Sequence, residues 1–370
     1  MRVLMTQRTP SQEWMRSARL AARIVRPGPQ VSPAKAYDVV EGLRAAGHRA
    51  AELVPELAGL PAPTGLLSHV SVVDRRGWTI TAARSMDHLL GLSTAHAVEG
   101  KPDPTDVTSG VEVMATLTFL SQRILGQFDP FGPSLATSPP PADTSVADPQ
   151  PANASAQATS STPPGNLVLV APNVLATQRA MVVDFDDFAL WIALHEQTHA
   201  LQFHHAPWLA TYMKDKAGEL INGFPTESSL FDWVRAVASV LRGGPSVFDH
   251  VLDTAQRNTL SSVLAVMSVL EGHADTVMDN VSHRDIPSAR ALRRRFDARR
   301  NALTRRQEII GRLLGAHLKS DQYRVGARFV RHVMSTAGPD TFHQIWRSPD
   351  HMPTTTELDE PDTWIARIAH

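Results

Sequence analysis

The 370-residue sequence contains no cysteine. That absence excludes disulfides, thiolate metal sites and a cysteine nucleophile, so any metal must sit on His, Asp or Glu. Long apolar runs are missing too. No segment reaches the ~18 residues of a membrane span, and the opening MRVLMTQRTPSQEW lacks the apolar core of a secretory signal. The expected location is cytoplasmic. Nor is there an excess of charge of one sign: Lys plus Arg total 36 and Asp plus Glu total 37, for a net charge of −1. This balance argues against bulk attraction to nucleic acid or to an anionic membrane. Neither G-x-x-x-x-G-K-[ST] nor a G-x-G-x-x-G at a strand-to-helix turn occurs, so no nucleotide site is expected.

What remains is a globular composition, 42% hydrophobic and 20% charged, with length enough for one large domain or two ordinary ones. Residues 11–60 read as helical with a break at Pro27-Gly28-Pro29, and Ala34–Ala58 carries apolar residues at helical spacing. Ser71–Ile80 reads as a short hairpin or a loop before the next helix. Glu112–Leu125 reads as a helix capped by Gly126, followed by the turn Asp129-Pro130-Phe131-Gly132. Residues 134–165 are nearly all Pro, Ala, Ser, Thr and Asp, a composition that cannot bury enough surface to offset ordering entropy. A disordered insertion or linker is expected there. It separates an N-terminal helical region, 1–133, from a metal-binding catalytic region, 166–370. The latter opens with a β-rich run, Asn166–Val170, ended by Ala171-Pro172-Asn173. Helices are expected at about 185–204, 208–220, 228–241, 246–255, 260–280, 287–316 and 320–336. The fold class is therefore mainly α with a small β element, an α+β protein.

The chemistry concentrates in Phe188–Phe203, FALWIALHEQTHALQF. His195 and His199 are four apart, hence on one helical face, where both imidazoles can reach a single Zn²⁺. Glu196 lies one residue round from the first histidine and is placed to take a proton from water. Asp184 or Asp186 can cap the helix. H-E-x-x-H would arise by chance roughly 0.02 times in such a chain. A second apolar helix carries Leu270-Glu271-Gly272-His273-Ala274-Asp275, with Glu271 and Asp275 again four apart. Met267, Leu270, Ala274 and Met278 turn that face toward the core, and a buried carboxylate is costly unless paired or metal-bound. Glu271 is the expected third ligand and Asp275 the expected orienting partner of the first histidine, a gluzincin-type set. Three protein ligands leave a fourth position open, as in catalytic zinc sites.

An oxyanion donor is usually added to such a site. Of the three tyrosines, Tyr37, Tyr212 and Tyr323, the last lies downstream of the second ligand helix and is the candidate. A tyrosine packed at a helix start would look the same. His273 and His332 are weaker candidates. His204 and His205 read as surface or outer residues. Ala291–Arg306 holds seven arginines in sixteen positions. A solvated face, or pairing with internal acids, suits the neutral total charge better than a nucleic-acid surface.

Several blocks carry a resemblance: LGQFDPFG at 125–132, LVAPNVLA at 169–176, DFALWIALHEQTHALQF at 187–203, PWL at 207–209, VMSVLEGHADTVMD at 266–279, RRRFDARR at 293–300, QYRVGARFV at 322–330 and the C-terminal WRSPDHMPTTTEL. With these, the chain resembles a bacterial family of zinc-dependent metalloproteases often labelled coenzyme F-420 biosynthesis-associated. The label looks like a genomic association rather than an assigned reaction. The resemblance implies a zincin-like, mostly helical fold. Residues and resemblance together lead to one expectation. It is a zinc-dependent hydrolase, a metallopeptidase or amidase, acting on a peptide or small-molecule amide. The alternative is a non-catalytic zinc-stabilised binding or scaffold protein, which would have no use for Glu196.

Overall fold

The computed structural model describes residues 10–91, 107–132, 165–222, 254–296, 298 and 322–369. The first two helices break where the sequence dictates. α1 (Pro10–Ile24) stops short of Pro27-Gly28-Pro29, and α2 (Pro33–Ala58) begins just beyond it. Ser32 caps α2 by accepting from the Lys35 N–H. Gly59, at φ 65°, closes it with its N–H on the Glu56 and Pro55 carbonyls. That left-handed conformation favours glycine.

The 71–80 stretch is neither hairpin nor loop. It passes from a strand, β1 (His69–Val73), directly into a helix, α3 (Arg75–Leu90). Asp74 makes the junction by accepting from the Gly77 N–H. α4 (Val107–Leu120) ends earlier than Leu125, and Gly126 starts a strand, β2 (Gly126–Asp129), rather than capping a helix. The Leu125 carbonyl accepts from Val170, which draws the chain into a ladder with β3 (Asn166–Val170).

β3 is the middle strand of three, in the order β1-β3-β2, parallel to β1 and antiparallel to β2. All five of its residues are buried, as befits an uninterrupted apolar run covered on both faces. Leu167 and Leu169 face the main core, while Val168 and Val170 pack with Trp78 of α3. Strands from both sides of 134–165 thus share one sheet.

The second half is helical: α5 (Ala171–Met181), α6 (Phe185–His205), α7 (Trp208–Asn222), α8 (Thr254–Asp279) and α9 (Gln322–Thr336), followed by short C-terminal helices. The helix expected at 228–241, and most of those expected at 246–255 and 287–316, lie outside the described residues, as do residues 134–164. The main core joins α2, α6, α8 and α9 through Leu43, Phe188, Leu201, Val269 and Phe329. A second core joins α1, α3 and α4. Among the described residues, no helix is long and apolar enough to cross a membrane.

The α8–α9 crossing is unusually close. A Cβ on Gly326 would lie 1.8 Å from the Ser268 carbonyl oxygen, and one on Gly272 would lie 2.3 Å from the Gly326 carbonyl carbon. Backbone meets backbone there, one residue from Glu271.

Candidate metal centre

α6 begins at Asp184, whose carboxylate accepts from the Asp186 and Asp187 N–H groups. The acidic Asp186 and Asp187 in its first turn complement the helix dipole. Phe188 through Leu194 are all buried, so the helix cannot roll. The open positions that follow are His195, Glu196 and His199, while the intervening Gln197 and Thr198 are fully buried. Gln197 accepts from Ser68 and donates to the Gly47 carbonyl, which ties α6 to α2 and the start of β1.

The two imidazoles stand 5.0 Å apart, nearly perpendicular. Glu271 of α8 reaches between them: Oε2 is 3.6 Å from His195 Nε2 and Oε1 is 3.7 Å from His199 Nε2. Ligand atoms of all three residues lie within 4.8 Å of one another. A tetrahedral zinc with bonds of about 2.0 Å would set its ligand atoms about 3.3 Å apart. Two imidazole nitrogens and one carboxylate at the observed spacing therefore fit one ion after slight closure.

His195 and Glu271 shift each other's protonation. Burial alone would lower the His195 pKa. The hydrogen bond and charge of Glu271, aided by the charges of Glu196 and Asp275, outweigh it and push the pKa up to about 9. Burial would likewise raise Glu271, but the His195 hydrogen bond and the charges of both histidines pull it down to about 2. A site that holds a proton this tightly on a histidine is electron-rich and suited to a cation.

A family model for zincin-like metallopeptidases matches residues 13–365. The chain belongs to that family. It is also similar over 98% of its length to a solved structure from Chloroflexus aurantiacus, provisionally classed as a hydrolase with a novel fold. That similarity covers 97% of the other chain, at 24% identity and a TM-score of 0.60. No curated protein matches.

In this member of the zincin-like metallopeptidase family, Glu196 touches the sheet. Its Oε2 accepts from the Phe128 N–H of β2 at 3.1 Å, and a Cβ on Gly126 would come within 2.8 Å of its Cγ. Because Leu125 and Val170 form a ladder pair, alternation turns the Gly126 and Phe128 backbone groups away from β3, toward Glu196. Reading residues in sequence missed this neighbour, since a four-residue strand has no period of its own.

Asp275 lies one turn beyond Glu271. Its hydrogen bonds go to Arg293 at 2.7 Å and Arg331 at 3.5 Å, and the same two arginines hold Asp279. Its effect on His195 is through charge. Arg293 is thus paired internally. Arg295 donates to the Met181 and Val182 carbonyls, and most of the arginine-rich segment beyond lies outside the described residues.

The side chain of Tyr323 also lies outside the described residues. Tyr212 packs on Trp208, and Tyr37 is exposed. His332 pairs with Asp362 on the surface, and His205 meets the Pro61 carbonyl. His273 is fully buried. Burial, with the charges of His343, His199 and His205, lowers its pKa to about 3 and keeps it neutral. Gln202, also fully buried, contacts both His199 and His273. Its sequence signal was its spacing, three residues after His199 on a neighbouring face of the same helix.

Proposed function

We propose that the protein is a zinc-dependent hydrolase of peptide or amide bonds. His195, His199 and Glu271 are the residues that would hold the ion, which lowers the pKa of water and polarises a carbonyl. The single observation that carries this reading is their convergence on one point beside Glu196. Glu196 takes a proton from the attacking water and returns it to the leaving nitrogen. The hydrogen bond from Phe128 holds that carboxylate against β2. Asp275 acts behind the site, where its negative charge supports His195.

The backbone of β2 supports an extended substrate. Among the described residues β2 has no further strand partner, and its outward groups border Glu196. A peptide could add to that edge by main-chain hydrogen bonds. A small amide would use the metal centre without it.

The test pairs wild type with Glu196→Gln on a panel of peptides and small amides. Turnover should fall about 10²–10⁴-fold, while elemental analysis still finds about one zinc per chain. Turnover undiminished in Glu196→Gln would overturn the role of Glu196, and none from either protein across the panel would favour a zinc-stabilised binding protein.

A further inference from the structure

Behind the ligand histidines lies a buried polar chain that the hydrolytic reading does not use. His199 Nδ1 is 2.8 Å from Gln202 Oε1. The amide nitrogen of Gln202 donates to the Leu270 carbonyl at 2.9 Å and lies 3.0 Å from His273 Nδ1. Gln202 and His273 are both completely buried, so no water competes for these groups.

The roles in this chain follow from what each atom can do. The Leu270 carbonyl only accepts, so the Gln202 atom facing it must be the NH₂. The same NH₂ then donates to His273 Nδ1. With its amide held that way round, Gln202 can present only its oxygen to His199. An oxygen acceptor requires a proton on His199 Nδ1, which leaves the Nε2 lone pair directed at Glu271 and the metal position. Leu270 precedes Glu271, so one side chain fixes the protonation pattern of one ligand and bolts the helix of another to it.

We propose that Gln202 is the positioning residue of this centre. It holds His199 in the Nδ1–H form and sets the spacing between α6 and α8, with the Leu270 carbonyl and His273 fixing its own orientation. The proposal rests on the ligand reading given above.

The first measurement needs no variant. In the zinc-loaded protein the His199 Nδ1–H should give a downfield proton resonance protected from solvent exchange. Exchange as fast as that of an exposed imidazole would overturn the proposal. The second measures zinc affinity by chelator competition in Gln202→Leu, Gln202→Glu and His199→Ala. Gln202→Leu should bind about 10–100-fold more weakly, the usual cost of losing an outer partner of a ligand histidine. Gln202→Glu, which keeps an acceptor for His199, should recover part of that loss. Equal affinity in wild type and Gln202→Leu, with His199→Ala still impaired, sinks the Gln202 role alone. Undiminished affinity in His199→Ala sinks the ligand assignment beneath it. Should Gln202→Leu fail to fold, the wild-type resonance and Gln202→Glu still decide.

Discussion

The two helices proposed to carry the metal ligands are held in different ways. Gln202 joins them through Leu270 and His273 of α8, but beyond that bond α6 is gripped by a neutral, buried amide, with Gln197 bonding Ser68 and Gly47. α8 is held by a bare backbone crossing at Gly272 and Gly326, and by ions at its half-open end, Asp275 and Asp279 against Arg293 and Arg331. Buried amides carry no charge and are shielded from water, so salt does not screen their bonds. Ion pairs near the surface are screened and individually weak. The histidines therefore sit on the rigid partner, and Glu271 on the one whose placement depends on close packing.

If that contrast is right, the crossing is the weakest point to strike. Gly326→Leu forces side-chain atoms into the Ser268 carbonyl and pushes α9 away from α8. Destabilisation on the order of 1–3 kcal/mol or more is expected, with loss of zinc binding, read by thermal melting and metal titration. An unchanged melt would mean that the helices can slide. Gly126→Val strikes the α6 side differently, by crowding Glu196 and leaving the ligands alone. A displacement near 1 Å can cost about 100-fold in rate, so turnover should fall while zinc affinity holds. A parallel loss of zinc would show that β2 supports the ligands as well.

The pH dependence separates the ion from the proton it replaces. The His195 pKa is raised, from an ordinary 6.5 to about 9. The stability this gives the metal-free protein is complete below pH 6.5 and is lost as pH rises through about 9. Glu271 is lowered from 4.5 to about 2, so its contribution is present above 4.5 and disappears as pH falls through about 2. A zinc ion held as proposed would displace the His195 proton. Its apparent affinity should rise by about tenfold per pH unit across the 6.5–9 window and then level off, while metal-free stability declines. A flat affinity profile would mean that His195 is neutral before binding. The smallest effect belongs to the ion cluster. Asp275→Asn should cost about 0–1 kcal/mol of stability, shrinking further in high salt, and should bring the His195 pKa down.

How legible the site was follows from the same contrast. H-E-x-x-H announces itself because helical period alone puts His195 and His199 on one face. Glu271 was legible because Asp275 and the apolar Met267, Leu270, Ala274 and Met278 share its helix; the last three are buried and Met267 is partly buried against the same core. Glu196's neighbour was not legible. Gly126 looks like a helix cap until β3, some forty residues on, supplies its ladder. α3 was hidden for a local reason: Gly77 sits in its first turn, where it resembles a loop residue, although Asp74 was already in place as the cap. The chain through Gln202 needed α6 and α8 side by side, which no single stretch of sequence encodes.

The most direct test of the central claim is a zinc titration of wild type against Glu271→Ala, read by competition with a chromophoric chelator. Wild type should bind one equivalent tightly. Glu271→Ala should stay folded and lose affinity by more than the about 10–100-fold of an outer-sphere defect. If the variant binds zinc as tightly as wild type, the ion does not sit between these two helices, and the account of the site fails.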